Sequence, residues 1–398
     1  MHEYKERPGV CKTCGNSPVN HRVAYFVSTF AIAQANVSRA ARRVPFLVAF
    51  ESLVRRIMLR VDSLVYRLFA LLGFVTFNTI PEKAVSYRSQ VVWEEAKRRG
   101  IAMEQVCFLG RHTEMYRARL RNRWIYFESL PIPEEATQHA YGWLDDKVML
   151  NEFLRESGIP IPPARSVRSE REAMQAFDEW GGLLVVKPRV GSRGRHTTTQ
   201  IRDAGQVRAA FKSARMLCRY AYISRHLEGS VCRGTVVDGT LAGFFQADPP
   251  RVTGDGKSSI QELIAKKNAA KPERVEDIVL TDEHHAFIGR MGYVPDSILE
   301  EGKEIDLTHR TGRLFGGETR ELLTNVHPRL KAYLERAAAA LAVPIVGFDL
   351  IIKDPEADPE SQEWGIIEAN SLPFIDLHYL PLHGEPSNVA AQVWDLWK

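Results

Sequence analysis

Leu183-Leu184-Val185-Val186-Lys187-Pro188, continuing as Arg189-Val190-Gly191-Ser192-Arg193-Gly194-Arg195-His196-Thr197, is the stretch on which the fold of this chain turns. Its apolar opening predicts a short buried strand that ends in a lysine. A lysine there stands where the chain leaves the sheet, within reach of a bound phosphate. Gly191 and Gly194 then permit tight turns whose N–H groups can face an anion. Arg193 and Arg195 supply charge for phosphoryl oxygens. The loop has neither the Gly-Lys-Ser/Thr ending of a P-loop nor the GxGxxG spacing of a dinucleotide fold, so neither is expected. Taken alone, the lysine reads equally as a surface residue and the loop as a basic turn.

Two late apolar runs carry the complementary charge: Ile345-Val346-Gly347-Phe348-Asp349-Leu350-Ile351 and Trp364-Gly365-Ile366-Ile367-Glu368-Ala369-Asn370. Strand residues two apart face the same way, so Glu368 and Asn370 project together. Asp349 on a neighbouring strand can complete an all-oxygen cluster suited to Mg²⁺, with Mn²⁺ as an alternative. The bland reading of these acids is strand-end solvation.

Helix and strand signals alternate around these runs. Arg88–Arg99 and Glu170–Trp180 read as helices, as does Asp145–Ser157, which stops at Gly158 before a Pro160, Pro162, Pro163 linker. Val106–Gly110 reads as a strand, and Glu114–Glu128 as a hairpin turning at Arg121-Asn122-Arg123. The pattern predicts an α+β or α/β enzyme with mixed sheets.

In this order the residues resemble the ATP-grasp superfamily of carboxylate–amine ligases over about 81–398. Lys147, after Asp145-Asp146, corresponds to the lysine of the entry helix that reaches ATP. Lys187 corresponds to the second ATP lysine, and Gly191, Ser192, Arg193, Gly194 and Arg195 to the mobile phosphate-covering loop. The resemblance implies Asp349, Glu368 and Asn370 as Mg²⁺ ligands, and Ser224, His226, Leu227 and Glu228 as the hinge lining the nucleotide. Arg233 and Arg310 are implied at the acyl phosphate or donor carboxylate, making them, with Lys187, the catalytic candidates.

Within the superfamily the sequence is similar to the ATP-grasp region of cyanophycin synthetases and related peptide ligases. Arg251–Ile260, Gly316-Gly317-Glu318-Thr319, His327-Pro328 and His378-Tyr379-Leu380-Pro381 match in order. Ser224 stands where the family usually has glutamate, and Arg313 where cyanophycin synthetases typically have asparagine.

The implied fold is α+β: two α+β subdomains clamping ATP (145–226 and 227–398), preceded by a small α/β pre-ATP-grasp domain (81–144) and a basic helical segment (1–80). The implied activity is ATP-dependent amide formation between a carboxylate and an amine, on amino acid or small peptide substrates. A phosphotransferase that stops at a phosphorylated product, or a silent nucleotide-binding module, are the alternatives.

Composition fits these classes. The chain has 398 residues, 44% hydrophobic and 26% charged, which excludes fibrous, low-complexity and disordered classes. Five cysteines are too few for a disulfide scaffold. The net charge is +4, but residues 1–80 hold eleven Lys/Arg against four acids, +7, leaving −3 for the rest.

Arg56, Arg60, Ser63 and Arg67 recur at helical spacing opposite Leu53, Ile57, Leu64, Leu68 and Leu72, predicting a basic amphipathic helix between Pro45 and Gly73. Region 39–77 is expected to pack on the body or on a second subunit as a homodimer. Peripheral contact with an anionic membrane or another protein is the alternative. No nucleic-acid partner is expected, because the basic residues alternate with apolar ones rather than with exposed aromatics. Val23–Ala33 faintly resembles a signal-peptide core, but its lead is far too long and holds Glu3 and Glu6, which argues against export and for the cytoplasm. Cys11, Cys14 and His21 offer three donors where tetrahedral zinc needs four, so no structural zinc is expected there.

Overall fold

The computed structural model describes residues 11, 14, 19–41, 64–66, 68–133, 144, 146–191 and 194–398. The long helix α1 (His21–Ala41) comes first. It is tied to the body by Ser28 Oγ donating to the Leu217 carbonyl at 3.0 Å and by an Arg39–Glu152 ion pair of 2.7 Å. Of the expected basic helix, residues 64–66 and 68–71 are helical, while 42–63 and 67 lie outside the described residues. Among the described residues, no helix is long and apolar enough to cross a membrane.

The apolar run ends as a strand, not a helix. β1 (Val75–Asn78) pairs with β2 (Met103–Phe108), followed by β3 (Arg111–Leu120) and β4 (Arg123–Glu128) in an antiparallel meander. β1 begins just beyond Gly73, where the expected helix is bounded, and pairs into this sheet although it precedes residue 80. The β3–β4 turn is made by Arg121 and Asn122 at φ 45° and 62°, the left-handed pair that two-residue hairpins require. α2 (Tyr87–Arg98), capped by Ser86, buries Val91, Val92, Trp93 and Ala96 against Tyr116 and Phe127.

α3 (Lys147–Glu156) leads into β5 (Ala164–Val167), α4 (Glu170–Trp180), β6 (Leu184–Pro188), β7 (Thr198–Ile201), α5 (Ala204–Arg215) and β8 (Ala221–Arg225). The sheet order is β5-β8-β6-β7, covered by α4 and α5 through Val167, Ala173, Leu184, Val186, Ile201, Phe211 and Ile223. Ser169 and Asp203 cap these helices by accepting backbone N–H bonds.

Residues 226–229 cross to a second large sheet. β9 (Ser230–Val237) and β10 (Thr240–Ala247) lead to an insertion of β11 (Arg251–Thr253), α6 (Ile260–Ala270), α7 (Asp282–Arg290) and β12 (Glu304–Asp306), which has its own core. β13 (Thr319–Glu321), α8 (Pro328–Leu341), β14 (Ile345–Ile352), β15 (Gly365–Asn370) and α9 (Val389–Asp395) complete the chain. The sheet order is β13-β10-β9-β14-β15. α3 and α8 share its largest core, through Leu150, Leu154, Leu334, Phe348, Leu350 and Ile366.

The strand pairs within these sheets are antiparallel, so the expected mixed sheets give way to antiparallel ones. Beneath the second large sheet, His378 bonds Glu321 at 2.7 Å and Thr235 at 2.8 Å, all three side chains buried. Such a fully partnered polar cluster is structural.

Candidate active site

The half-exposed face of the second large sheet carries a row of charges in register. On β14, Asp349 lies opposite Arg233 of β9 on one side and Glu368 of β15 on the other. Directly opposed residues share a face, so the three side chains stand together. Arg233 grips Asp349 through two contacts, Nε to Oδ1 and Nη2 to Oδ2, the latter 2.8 Å. Asn370 donates to Asp349 Oδ2 at 3.3 Å. Gly347 leaves room for this grip, because a Cβ there would stand 2.7 Å from Pro373 Cβ and 3.2 Å from Arg233 Cδ.

The two lysines arrive from other elements. Lys147 is the first residue of α3, where the helix dipole disfavours a cation. Its ammonium is held instead by Glu368 Oε1 at 3.4 Å and by the Gly191 carbonyl at 3.2 Å. Lys187, near the end of β6, reaches the Ile367 carbonyl at 3.5 Å. That carbonyl is available because pairing of β14 with β15 skips a residue between Glu368 and Ile366, a bulge that leaves Ile367 out of the ladder.

Burial pushes the Lys187 ammonium down to about 8; Lys147 adds to the shift, and Glu368 and Asp349 oppose it. Burial pushes the Glu368 carboxyl up, but Lys147, Lys187 and Arg233 together hold it below its ordinary value. For Arg233, burial works against the charge, and Asp349 more than restores it.

The loop after β6 closes one side of the site. Gly191 has φ 150° and Gly194 φ 64°, backbone conformations that a β-carbon would strain. Ser192 and Arg193 lie outside the described residues. Arg195 lies near Cys14, whose thiol burial pushes up while the guanidinium opposes the shift. Gly194 packs against His309 of the insertion, whose neighbour Arg310 pairs with Glu283 at 2.8 Å. Arg310 thus sits on the insertion side, not in the in-register row.

The end of β8 and the crossing segment carry the residues expected at the hinge. Ser224 is buried opposite Val185 of β6, and the His226 amide donates to the Leu183 carbonyl at 2.9 Å. Leu227 is buried, whereas Glu228 is exposed and paired with Lys353 at 3.2 Å.

Two features escape a reading of the sequence alone. Arg189, read as one more residue of the loop, is buried on Asp146 with contacts of 2.7, 3.0 and 3.1 Å. The same Asp146 caps α3 by accepting from the Val148 and Met149 amides; an Asp just before a helix is the only local signal of it. The second feature concerns the cysteines and histidine near the chain start. His196 joins Cys11, Cys14 and His21, making four donors rather than three.

No family model matches the chain. It is 31% identical over 261 residues to a cyanophycin synthetase of Synechocystis sp., covering 63% of this chain and 30% of that protein. It is 28% identical over 266 residues to a glutathione biosynthesis bifunctional protein of Desulfotalea psychrophila, covering 63% of this chain and 34% of the relative. The chain therefore spans about a third of the length of these curated relatives. Among solved structures, a bifunctional glutathione synthetase from Pasteurella multocida aligns with TM-score 0.48 and 19% identity, covering 78% of this chain and 44% of that one. The sequence similarity to cyanophycin synthetases, over 63% of the chain, agrees with the resemblance to the ATP-grasp superfamily that the ordered site residues carry.

Proposed function

We propose that the chain is an ATP-dependent ligase joining a carboxylate to an amine as an amide, through an acyl phosphate, on amino acid or small peptide substrates. The observation that carries this reading is the Arg233–Asp349–Glu368 row flanked by Lys147 and Lys187. Two carboxylates directly opposed on neighbouring strands repel, and a cation between them would relieve that beyond what Arg233 and Lys147 already provide. The Arg233 Nη1 is buried with no hydrogen-bond partner among the described residues, a donor suited to an anionic oxygen. Both features fit a nucleotide and a divalent ion. Asp349, Glu368 and Asn370 would hold Mg²⁺ or Mn²⁺, which supplies charge neutralisation at the phosphates.

The reaction asks little covalent chemistry of the protein. A carboxylate oxygen attacks the γ-phosphorus, and the β–γ bridging oxygen leaves with ADP. An amine nitrogen then attacks the acyl carbon, phosphate departs with the C–O electron pair, and a proton is released from the nitrogen. Lys147 and Lys187 offset charge on the phosphates, and Arg233 orients the acyl phosphate or donor carboxylate. The loop over 189–197 would cover the phosphates and exclude water. A requirement for ATP suits a cytoplasmic enzyme.

The test is a matrix of amino acids and dipeptides with ATP, read by ADP release and product mass. Wild-type chain should give a condensation product. Lys187→Ala and Glu368→Ala should each lower turnover by about 10²–10³-fold, as loss of a preorganised charge partner does. Wild-type turnover in both variants, or a product that gains only phosphate, overturns the reading.

A further inference from the structure

A second cluster of side chains lies apart from the Arg233–Asp349–Glu368 row. The Cys14 amide donates to the Cys11 carbonyl at 3.1 Å, a tight turn that brings both sulfurs to one side. His21 opens α1, and His196 comes from the far end of the loop between β6 and β7. Their four donor atoms all lie within 4.8 Å of one another.

The distances are those of a coordination shell. Cys11 Sγ and Cys14 Sγ each stand 3.5 Å from His196 Nε2, and Cys14 Sγ stands 3.3 Å from His21 Nε2. Zinc bonds of about 2.3 Å to sulfur and about 2.05 Å to nitrogen, at tetrahedral angles, require S···N edges of about 3.6 Å.

His196 Nδ1 lies 2.9 Å from the Ser213 carbonyl, which can only accept, so Nδ1 carries the proton and Nε2 the lone pair. That lone pair faces both sulfurs, with Cys14 and His196 fully buried. A cation takes all four donors at once. The Ser213 carbonyl is the outer contact that a metal-bound imidazole characteristically makes, fixing its tautomer and ring direction.

We propose that Cys11, Cys14, His21 and His196 bind one structural zinc ion. Two thiolates and two imidazoles select zinc among common divalent metals, and four protein ligands leave no open position for catalysis. The ion fastens the start of α1 to the end of the loop that follows Lys187. The metal then joins the Ser28–Leu217 hydrogen bond, the Arg39–Glu152 pair and the packing of Ala35 in holding α1 to the body. The loop's far end is correspondingly fixed at residue 196, so its travel is confined to the residues before it.

The full chain, purified with thiol reductant and without chelator, is reconstituted with zinc, desalted and read by elemental mass spectrometry. About one zinc per chain is expected, released in step with two thiols during titration with an organomercurial. Cobalt(II) in its place should give the visible absorption of a tetrahedral thiolate site. Cys14→Ser and His21→Ala should each weaken binding by at least about 100-fold, since loss of an outer partner alone costs 10–100-fold. Wild-type chain with no metal above the buffer blank, an octahedral cobalt spectrum, or zinc released without thiol modification overturns the proposal. These readouts do not depend on turnover, so they stand or fall separately from the ligase reading.

Discussion

Burial and the nearby Lys147 hold the Lys187 ammonium at about 8, where it is charged at neutral pH but only just. Below that pH the amine is ready for a phosphate. Above it the free protein holds a neutral amine, which must take up a proton when an anion binds. ATP affinity should therefore fall as pH rises above about 8, by up to tenfold per unit for one coupled proton. Calorimetric ATP titrations in buffers of different ionisation heat should show proton uptake across that range. Lys187→Arg, whose guanidinium stays charged, should flatten the fall; wild-type affinity that is flat with pH contradicts the assignment. The lysine itself is legible from a strand that ends in it. Its shifted proton affinity is not, because Lys147 and Glu368 are brought to it only by the fold.

Asp146 shows how one side chain sets an element. It caps α3, pairs with the buried Arg189, and so fixes where Lys147 begins its reach. Asp146→Asn keeps a good cap but leaves Arg189 buried without its counter-charge, an expected loss of about 3–5 kcal/mol in urea unfolding. Asp146→Ala should lose about 1 kcal/mol more, for the cap. Equal stability of Asp146→Asn and wild type would show that the pair is not structural. Helix ends such as Glu170–Trp180 are legible because caps and glycines act locally. The bulge at Ile367 is not, since it depends on the register against β14. β1 is not legible for a related reason: Val75-Thr76-Phe77 extends an apolar run, and only pairing with residues 106–108 makes it a strand.

Across the whole molecule, the candidate site exists because one sheet delivers Lys187, another delivers Arg233, Asp349 and Glu368, and α3 brings Lys147 between them. The β1–β4 meander is not a separate body. Its core includes Ile345, Val393 and Trp394, and the Trp394 indole donates to the Val92 carbonyl at 2.9 Å. The ordered strand-end charges made the superfamily legible, because each sits in a local pattern. The fourth donor to the cysteine cluster was hidden, because His196 is 175 residues beyond His21 and reads as the end of a basic loop. The most direct measurement is anomalous diffraction from crystals holding Mn²⁺ and a non-hydrolysable ATP analogue. The account predicts a manganese peak bounded by Asp349, Glu368 and Asn370, with Lys147 and Lys187 on the phosphates. A peak elsewhere, with Asp349 still gripped by Arg233 and Glu368 still on Lys147, would contradict it.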